Sequence, residues 1–311
     1  MIYYYKKTQR DSNIFECKPT SLGSWISIVS PTQKEIDNFS EKYNIPKEFL
    51  LSSLDAGELS RIDKERGVIL FIFKIPLRED SVNGGFSTNT LGIIITNRHI
   101  ITVTSENHPI LEDFIESKIK NCFTTSRNRF LLQIINRVDF YFINYLHYIE
   151  NKIDIVEEKL LSSFENKEVV SLLKYQKSLT FFDTAVLTNN NVLEKLAKGN
   201  VIELNKEDKE LLDDIIVDNK QALEMINVYG NILSNTMDAY ASIISNNLNI
   251  VMKFLASVTI LISFPTIIAS FFGMNVRLPF QDHPLAFFII IFISIITIIG
   301  FAYIFSKKKY F

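Results

Sequence analysis

The sequence predicts an α/β domain, followed by a long helical stalk that continues into a two-helix transmembrane hairpin. Three observations lead to this fold class. Residues 251–272 and 285–305 are apolar stretches, each long enough to cross a bilayer. Residues 206–264 contain no proline and a single glycine, Gly230. Residues 1 to about 120 alternate β-branched apolar runs with short helical patterns.

The first domain is expected over residues 1–126. Its strands are predicted at 26–29, 68–74, 92–96 and 100–104, where apolar runs are bounded by turn residues. Helices are predicted at 31–43, at 47–54 just after Pro46, and at 108–119. Gly84-Gly85 marks a turn between strands. Residues 127–205 form a helical hairpin of the same domain. Ile134, Val138, Phe142, Tyr145, Ile149, Ile153, Val156, Leu160 and Phe164 recur at helical spacing, and residues 169–187 supply a second helix. Asn189-Asn190-Asn191 and Gly199-Asn200 are expected breaks.

The stalk covers 206–272 and passes into the first span. From Asp208 onward it measures about 100 Å at ~1.5 Å per residue. A helix of that length needs neighbours, which argues for an oligomer. Residues 273–284 form a loop, 285–306 the second span, and 307–311 a basic tail.

Composition narrows the function classes. The 311 residues carry 33 Lys and Arg against 35 Asp and Glu, a net charge of −2, so neither nucleic acid nor a polyanionic surface is implied. No GxGxxG, Walker A or HExxH motif occurs, which removes support for nucleotide and zinc-protease readings. The start, Met1-Ile2-Tyr3-Tyr4-Tyr5, has neither the pattern of a secretory signal nor that of a transit peptide. Cys17 and Cys122 form no CxxC and are expected to be reduced thiols. His99, His108, His147 and His283 are scattered without metal-ligand spacing, and the aromatic run 140–148 is expected to be packing. The inter-span loop carries only Arg277 as a cation, whereas Lys253, Lys307, Lys308 and Lys309 flank the other ends. The positive-inside rule therefore places both termini in the cytoplasm of a cell-membrane protein.

One face of the long helix, taken in alternating steps of four and three, reads Asp238, Ser242, Ser245, Asn249, Met252, Ala256, Thr259, Ser263, Thr266 and Ser270. The opposite face carries Ile250, Phe254, Leu261, Phe264 and Ile268, with Ser257 its one small polar residue. Small residues allow close helix packing, and that reading competes with a water-lined path. Asp238 and Asn249 favour the path. A ring of Asp238 attracts cations, and Asn249 and Asn275 offer neutral oxygens to the waters of a hydrated ion. Mg²⁺ sheds water reluctantly, so contact through its waters suits it.

Pro265-Thr266-Ile267-Ile268-Ala269-Ser270-Phe271-Phe272-Gly273-Met274-Asn275 resembles the signature of the CorA family of magnesium transporters. The motif's position, the short loop, the second span and the basic tail fit the same family. Ser270 and Phe272 stand where the family usually has Gly and Tyr. The loop Val276-Arg277-Leu278-Pro279-Phe280-Gln281-Asp282 lacks the usual Met-Pro-Glu-Leu, leaving Asp282 as the available carboxylate.

The resemblance implies a funnel-shaped homopentamer in membrane lipid. It carries Mg²⁺ inward down the membrane potential, gated by cytoplasmic Mg²⁺, with no enzymatic step. Asn275 would form the outer selectivity ring, with Gly273 and Met274 shaping the turn, and Thr266, Asn249, Met252 and Asp238 facing the pore. Lys307, Lys308 and Lys309 would act as an interfacial anchor and a basic ring. A regulatory Mg²⁺ between subunits would draw on Asp213, Asp214, Glu79 and Asp80, although acidic pairs are equally at home on a solvated surface. Zn²⁺ or Co²⁺/Ni²⁺ transport on the same scaffold is the alternative, and a membrane-anchored scaffold or sensor is the alternative of another class.

Overall fold

The apolar runs of the N-terminal half assemble as one seven-stranded mixed sheet. The computed structural model describes all residues except 20, 80–84, 163–165, 200, 277–283 and 309–311. The chain forms two units, Met1–Asn235 and Thr236–Phe311. The strands are β1 (Ile2–Lys6), β2 (Phe15–Glu16), β3 (Trp25–Val29), β4 (Arg61–Glu65), β5 (Val68–Arg78), β6 (Phe86–Ile95) and β7 (Ile100–Thr104). Their order is β2-β1-β3-β7-β6-β5-β4, with β3 and β7 parallel and all other pairs antiparallel.

The first two helices, α1 (Gln33–Tyr43) and α2 (Lys47–Ser52), pack on one face of the sheet. Ile36, Phe39, Phe49 and Leu50 join Ile26, Leu70, Ile94 and Ile101 in one core cluster. α1 starts two residues later than its pattern suggests, because Thr32 and Glu35 form a capping box. Gly92 of β6 is required by close approach. A Cβ there would lie 1.8 Å from Ser53 Oγ, just beyond α2.

The other core layer centres on Trp25. Its ring meets Tyr5, Phe114 and Phe130, and its indole N–H donates to Thr102 Oγ1 at 2.9 Å. Phe114 belongs to α3 (Pro109–Ile115) and Phe130 to α4 (Arg127–Ser162). α3 is shorter than expected, since Ser117 at φ 58° turns the chain out of the helix.

Three strands, β1, β2 and β4, are additional to those expected. In β1 three consecutive tyrosines mask the polar–apolar alternation, because tyrosine suits either face. In β4 the sequence Arg-Ile-Asp-Lys-Glu looks like a loop but forms a charged edge strand. β5 also runs on through Pro76 to Arg78. β4 ends with Arg61 opposite Ile72, so beyond that point one edge of β5 is open and tolerates proline.

The open edge explains a correction. Asn189-Asn190-Asn191 is not a break: α5 (Asn166–Ala197) runs through it. Asn189 is buried, accepts from the Lys74 backbone N–H and donates to the Lys74 carbonyl, both at 2.9 Å. Its side chain thus replaces the missing strand. The helix ends before Gly199, which sits at φ +75° as expected of a break.

α6 (Lys206–Phe272) is a single helix of 67 residues. In the first unit it runs parallel to α4. Arg129 pairs with Asp208 at 3.2 Å, Asp139 with Asn219 at 2.9 Å, and Glu150 with Tyr229. The first two links are offset by 79 and 80 residues, as two helices in constant register require.

Candidate functional site

The second unit holds α6 from Thr236 onward and α7 (Ala286–Lys307). Both helices contain segments long and apolar enough to cross a membrane. Their partly covered residues recur at helical spacing: Ser257, Leu261, Pro265 and Ile268 on α6, and Ile290, Ser294, Thr297, Phe301 and Phe305 on α7. Phe264 stacks on Phe301 at 4.3 Å, which marks these as the packing faces of the hairpin. Ser257, the polar exception on the apolar side, is buried and donates to the Lys253 carbonyl at 2.8 Å.

The stripe lies on the other side of α6. Asp238, Ser242, Ser245, Asn249, Met252, Ala256, Thr259, Ser263, Thr266 and Ser270 are all exposed. Four of its hydroxyls are oriented alike. Ser242, Thr259, Ser263 and Thr266 each donate to the carbonyl four residues earlier, at 2.7–3.0 Å. Their protons are therefore committed to the backbone, and their lone pairs face outward. With the Asp238 carboxylate and the Asn249 amide oxygen, these four hydroxyls give the open face of α6 a run of acceptors. Waters around a cation point their hydrogens outward and match such a surface.

At the end of α6 the Gly273 N–H donates to the Ala269 carbonyl at 3.0 Å, and Met274 to Phe271 at 3.3 Å. Gly273 is not left-handed, and a Cβ added there would meet nothing closer than 3.5 Å. Among the described residues nothing demands glycine at this position. Gly273, Met274 and Asn275 are all exposed. Arg277 and Asp282 of the loop lie outside the described residues.

The remaining candidates are dispersed. Asp213 and Asp214 are exposed on α6 in the first unit, and Asp213 borders a cleft with Lys209 and Leu196. Burial and the charge of Asp214 raise the pKa of nearby Asp218. Glu79 is exposed directly after β5, while Asp80 lies outside the described residues. Among the described residues no three His, Cys, Asp or Glu side chains are gathered as a metal site. Lys307 ends α7, Lys308 caps it, and Lys309 lies outside the described residues. His99 and His108 are buried against Ser24 Oγ at 2.9 Å and the Pro76 carbonyl at 2.7 Å. Tyr145 and Tyr148 pack on Phe86.

A sequence model of the family described as CorA-like Mg²⁺ transporter protein matches residues 23–308. The chain belongs to the CorA family. The cobalt/magnesium transport protein CorA of Methanocaldococcus jannaschii is 28% identical over 289 residues, covering 91% of this chain and 90% of that protein. The complete structure of the CorA magnesium transporter from that organism superposes with a TM-score of 0.85 at 25% identity, over 99% of this chain and 98% of the other. The full-length CmaX protein shares the fold, with a TM-score of 0.70 at 14% identity over 98% and 96% of the two chains. CorA proteins are membrane transporters whose cargo is Mg²⁺; they are not enzymes. Membership sets aside the reading of the hairpin as a mere anchor.

Proposed function

We propose that this CorA-family chain assembles as a homopentamer in which the α6 stripes together line a path for hydrated Mg²⁺. One observation carries the reading: the acceptor stripe is open on the face of α6 that α7 does not cover. A polar stripe facing hydrocarbon is costly, so it needs protein or water opposite it. Two helices enclose no pore, and copies of the same stripe around an axis supply one.

Asn275 closes the outer mouth as a ring of amide oxygens, and Gly273 leaves room for the neighbouring copy. Thr266, Met252, Asn249 and Asp238 follow toward the cytoplasm, where both termini lie. Lys307, Lys308 and Lys309 anchor the hairpin at that surface. A divalent ion crossing ~100 mV inward gains about 4.6 kcal/mol, twice the single-charge figure. That sustains a concentration ratio of roughly a thousand or more. Regulation comes from Mg²⁺ bound between copies by Asp213 and Asp214, with Glu79 and Asp80 of the α/β domain. Facing carboxylates repel unless a cation lies between them. Mg²⁺ would therefore favour the closed ring, and its loss the open one.

The stripe contains neither Cys nor His, which favours a hard cation over Zn²⁺. The test is flux into proteoliposomes, with Mg²⁺, Co²⁺, Ni²⁺ and Zn²⁺ compared. Single cysteines are placed at Asn249, Thr266, Phe254 and Leu261 on a background lacking Cys17 and Cys122. Small hydrophilic thiol reagents should block flux through the first two variants and spare the last two. Equal reactivity on both faces would remove the pore assignment.

A further inference from the structure

The seam between α4 and α6 contains a polar pair in an apolar setting. On α6, Leu212, Ile215, Asn219, Ala222, Ile226, Tyr229 and Leu233 are buried in alternating steps of three and four. On α4, Leu132, Ile135, Asp139, Phe142, Leu146, Ile149 and Ile153 are buried at the same spacing. Asp139 and Asn219 are the polar members of these two series, 1% and 0% exposed. Asn219 Nδ2 donates to Asp139 Oδ1 at 2.9 Å. The other oxygens of the same two groups, Asp139 Oδ2 and Asn219 Oδ1, are buried and have no partner among the described residues. An ionised carboxylate and an amide oxygen are both acceptors only, so neither can satisfy the other. One proton resolves both.

We propose that Asp139 is a neutral carboxylic acid whose Oδ2–H donates to Asn219 Oδ1, so that a single bound proton closes a two-bond acid–amide clasp joining α4 to α6. Three considerations favour the proton over other occupants. No cation acts on Asp139 from α4, α5 or α6 among the described residues. The charged group that does is Asp218 of α6, itself beside Asp214, and both are acidic. An ionised Asp139 would thus be a buried charge without a counter-ion. A metal ion is a poor fit, because the pair offers two oxygens where Mg²⁺ takes six and Ca²⁺ six to eight.

Burial pushes the Asp139 carboxyl up to about 8; the Asn219 bond opposes that push and the charge of Asp218 adds to it. Because the folded-state value is raised, the clasp's contribution is complete below the ordinary carboxylate range and declines as pH rises. Between about pH 4 and 8 the closed seam holds one proton more than the open one, so opening becomes about tenfold easier per pH unit. Above about pH 8 the clasp itself loses its proton. A polar pair inside an apolar seam also fixes register, and here that lock depends on pH.

The test uses the full chain in detergent, unsubstituted and as Asp139→Asn, which keeps two amide bonds without a titrating proton. Infrared difference spectra should show a protonated-carboxyl band at pH 7 that Asp139→Asn lacks. In the unsubstituted chain that band should vanish with a midpoint near 8, a reading that survives even if the variant fails to fold. Hydrogen exchange in α4 and in α6 up to Asn235 should give an opening constant, relative to the variant, that rises about tenfold per unit between pH 5 and 7. Absence of the band, or parallel exchange profiles, overturns the clasp. Dependence on Na⁺ or K⁺ instead of pH overturns the proton and makes the pair a cation site.

Discussion

In the first unit, α6 buries Leu212, Ile215, Asn219, Ala222, Ile226, Tyr229 and Leu233 at alternating steps of three and four, all but Asn219 and Tyr229 apolar. In the second, the residues it sets at the same steps, from Asp238 to Ser270, are exposed. One helix thus carries the same periodicity twice with different chemistry. The apolar series finds its partners in its own chain. In the small polar series four hydroxyls donate inward to the backbone and leave their acceptor lone pairs open. Burial of the first stabilises the fold, and exposure of the second leaves a face for something outside the chain. Residues that hold the protein together are thus set apart from the residues proposed to serve the ion.

The largest effect that can break this division is expected at the end of α6. Asn275→Ala should abolish Mg²⁺ uptake while oligomers still assemble, as measured by flux and by size in detergent. Normal uptake by that variant would remove the amide ring.

A substitution in each half sharpens the contrast. Ile215→Ala deletes a fully buried side chain and should cost about 2–5 kcal/mol in denaturation of the detergent-solubilised chain. Ser263→Ala should change stability by less than about 0.5 kcal/mol and alter flux instead. If Ser263→Ala destabilises as much as Ile215→Ala, the stripe is a packing face and not a path.

The smallest expected effect concerns Asp214, exposed on the half of α6 that buries Leu212 and Ile215. Asp214→Asn should blunt the inhibition of flux as internal Mg²⁺ is raised from micromolar to millimolar, with folding unchanged. Inhibition identical to that of the unsubstituted chain would take Asp214 out of the sensor.

The pattern that marks the candidate site was far more legible in the sequence than the sheet was. The two spans, the stripe and the tripeptide 273–275 are local patterns. Each is set by spacing along one helix or by the point where it stops, so reading along the chain finds them. The edge of the sheet is not local. β4 is charged because it is an edge, and β1 is obscured by three consecutive tyrosines, of which Tyr5 packs on Trp25. Asn189 looked like an interruption and lies within α5, and the strand expected to stop at residue 74 runs on through Pro76.

Sequence alone determined the membrane hairpin, the polar face of α6 and the family, because hydropathy, helical period and a terminal motif need no knowledge of distant contacts. Tertiary structure decided which polar residues are buried and what satisfies them. Asn189 reaches Lys74 across 115 residues and Asn219 reaches Asp139 across 80. An asparagine within a helix carries no mark of whether its amide meets water, a strand edge or a carboxyl group. That depends on desolvation by elements far away in the chain. The same physics turns Asp139 from an ordinary acid in the sequence into a candidate proton-binding group in the fold.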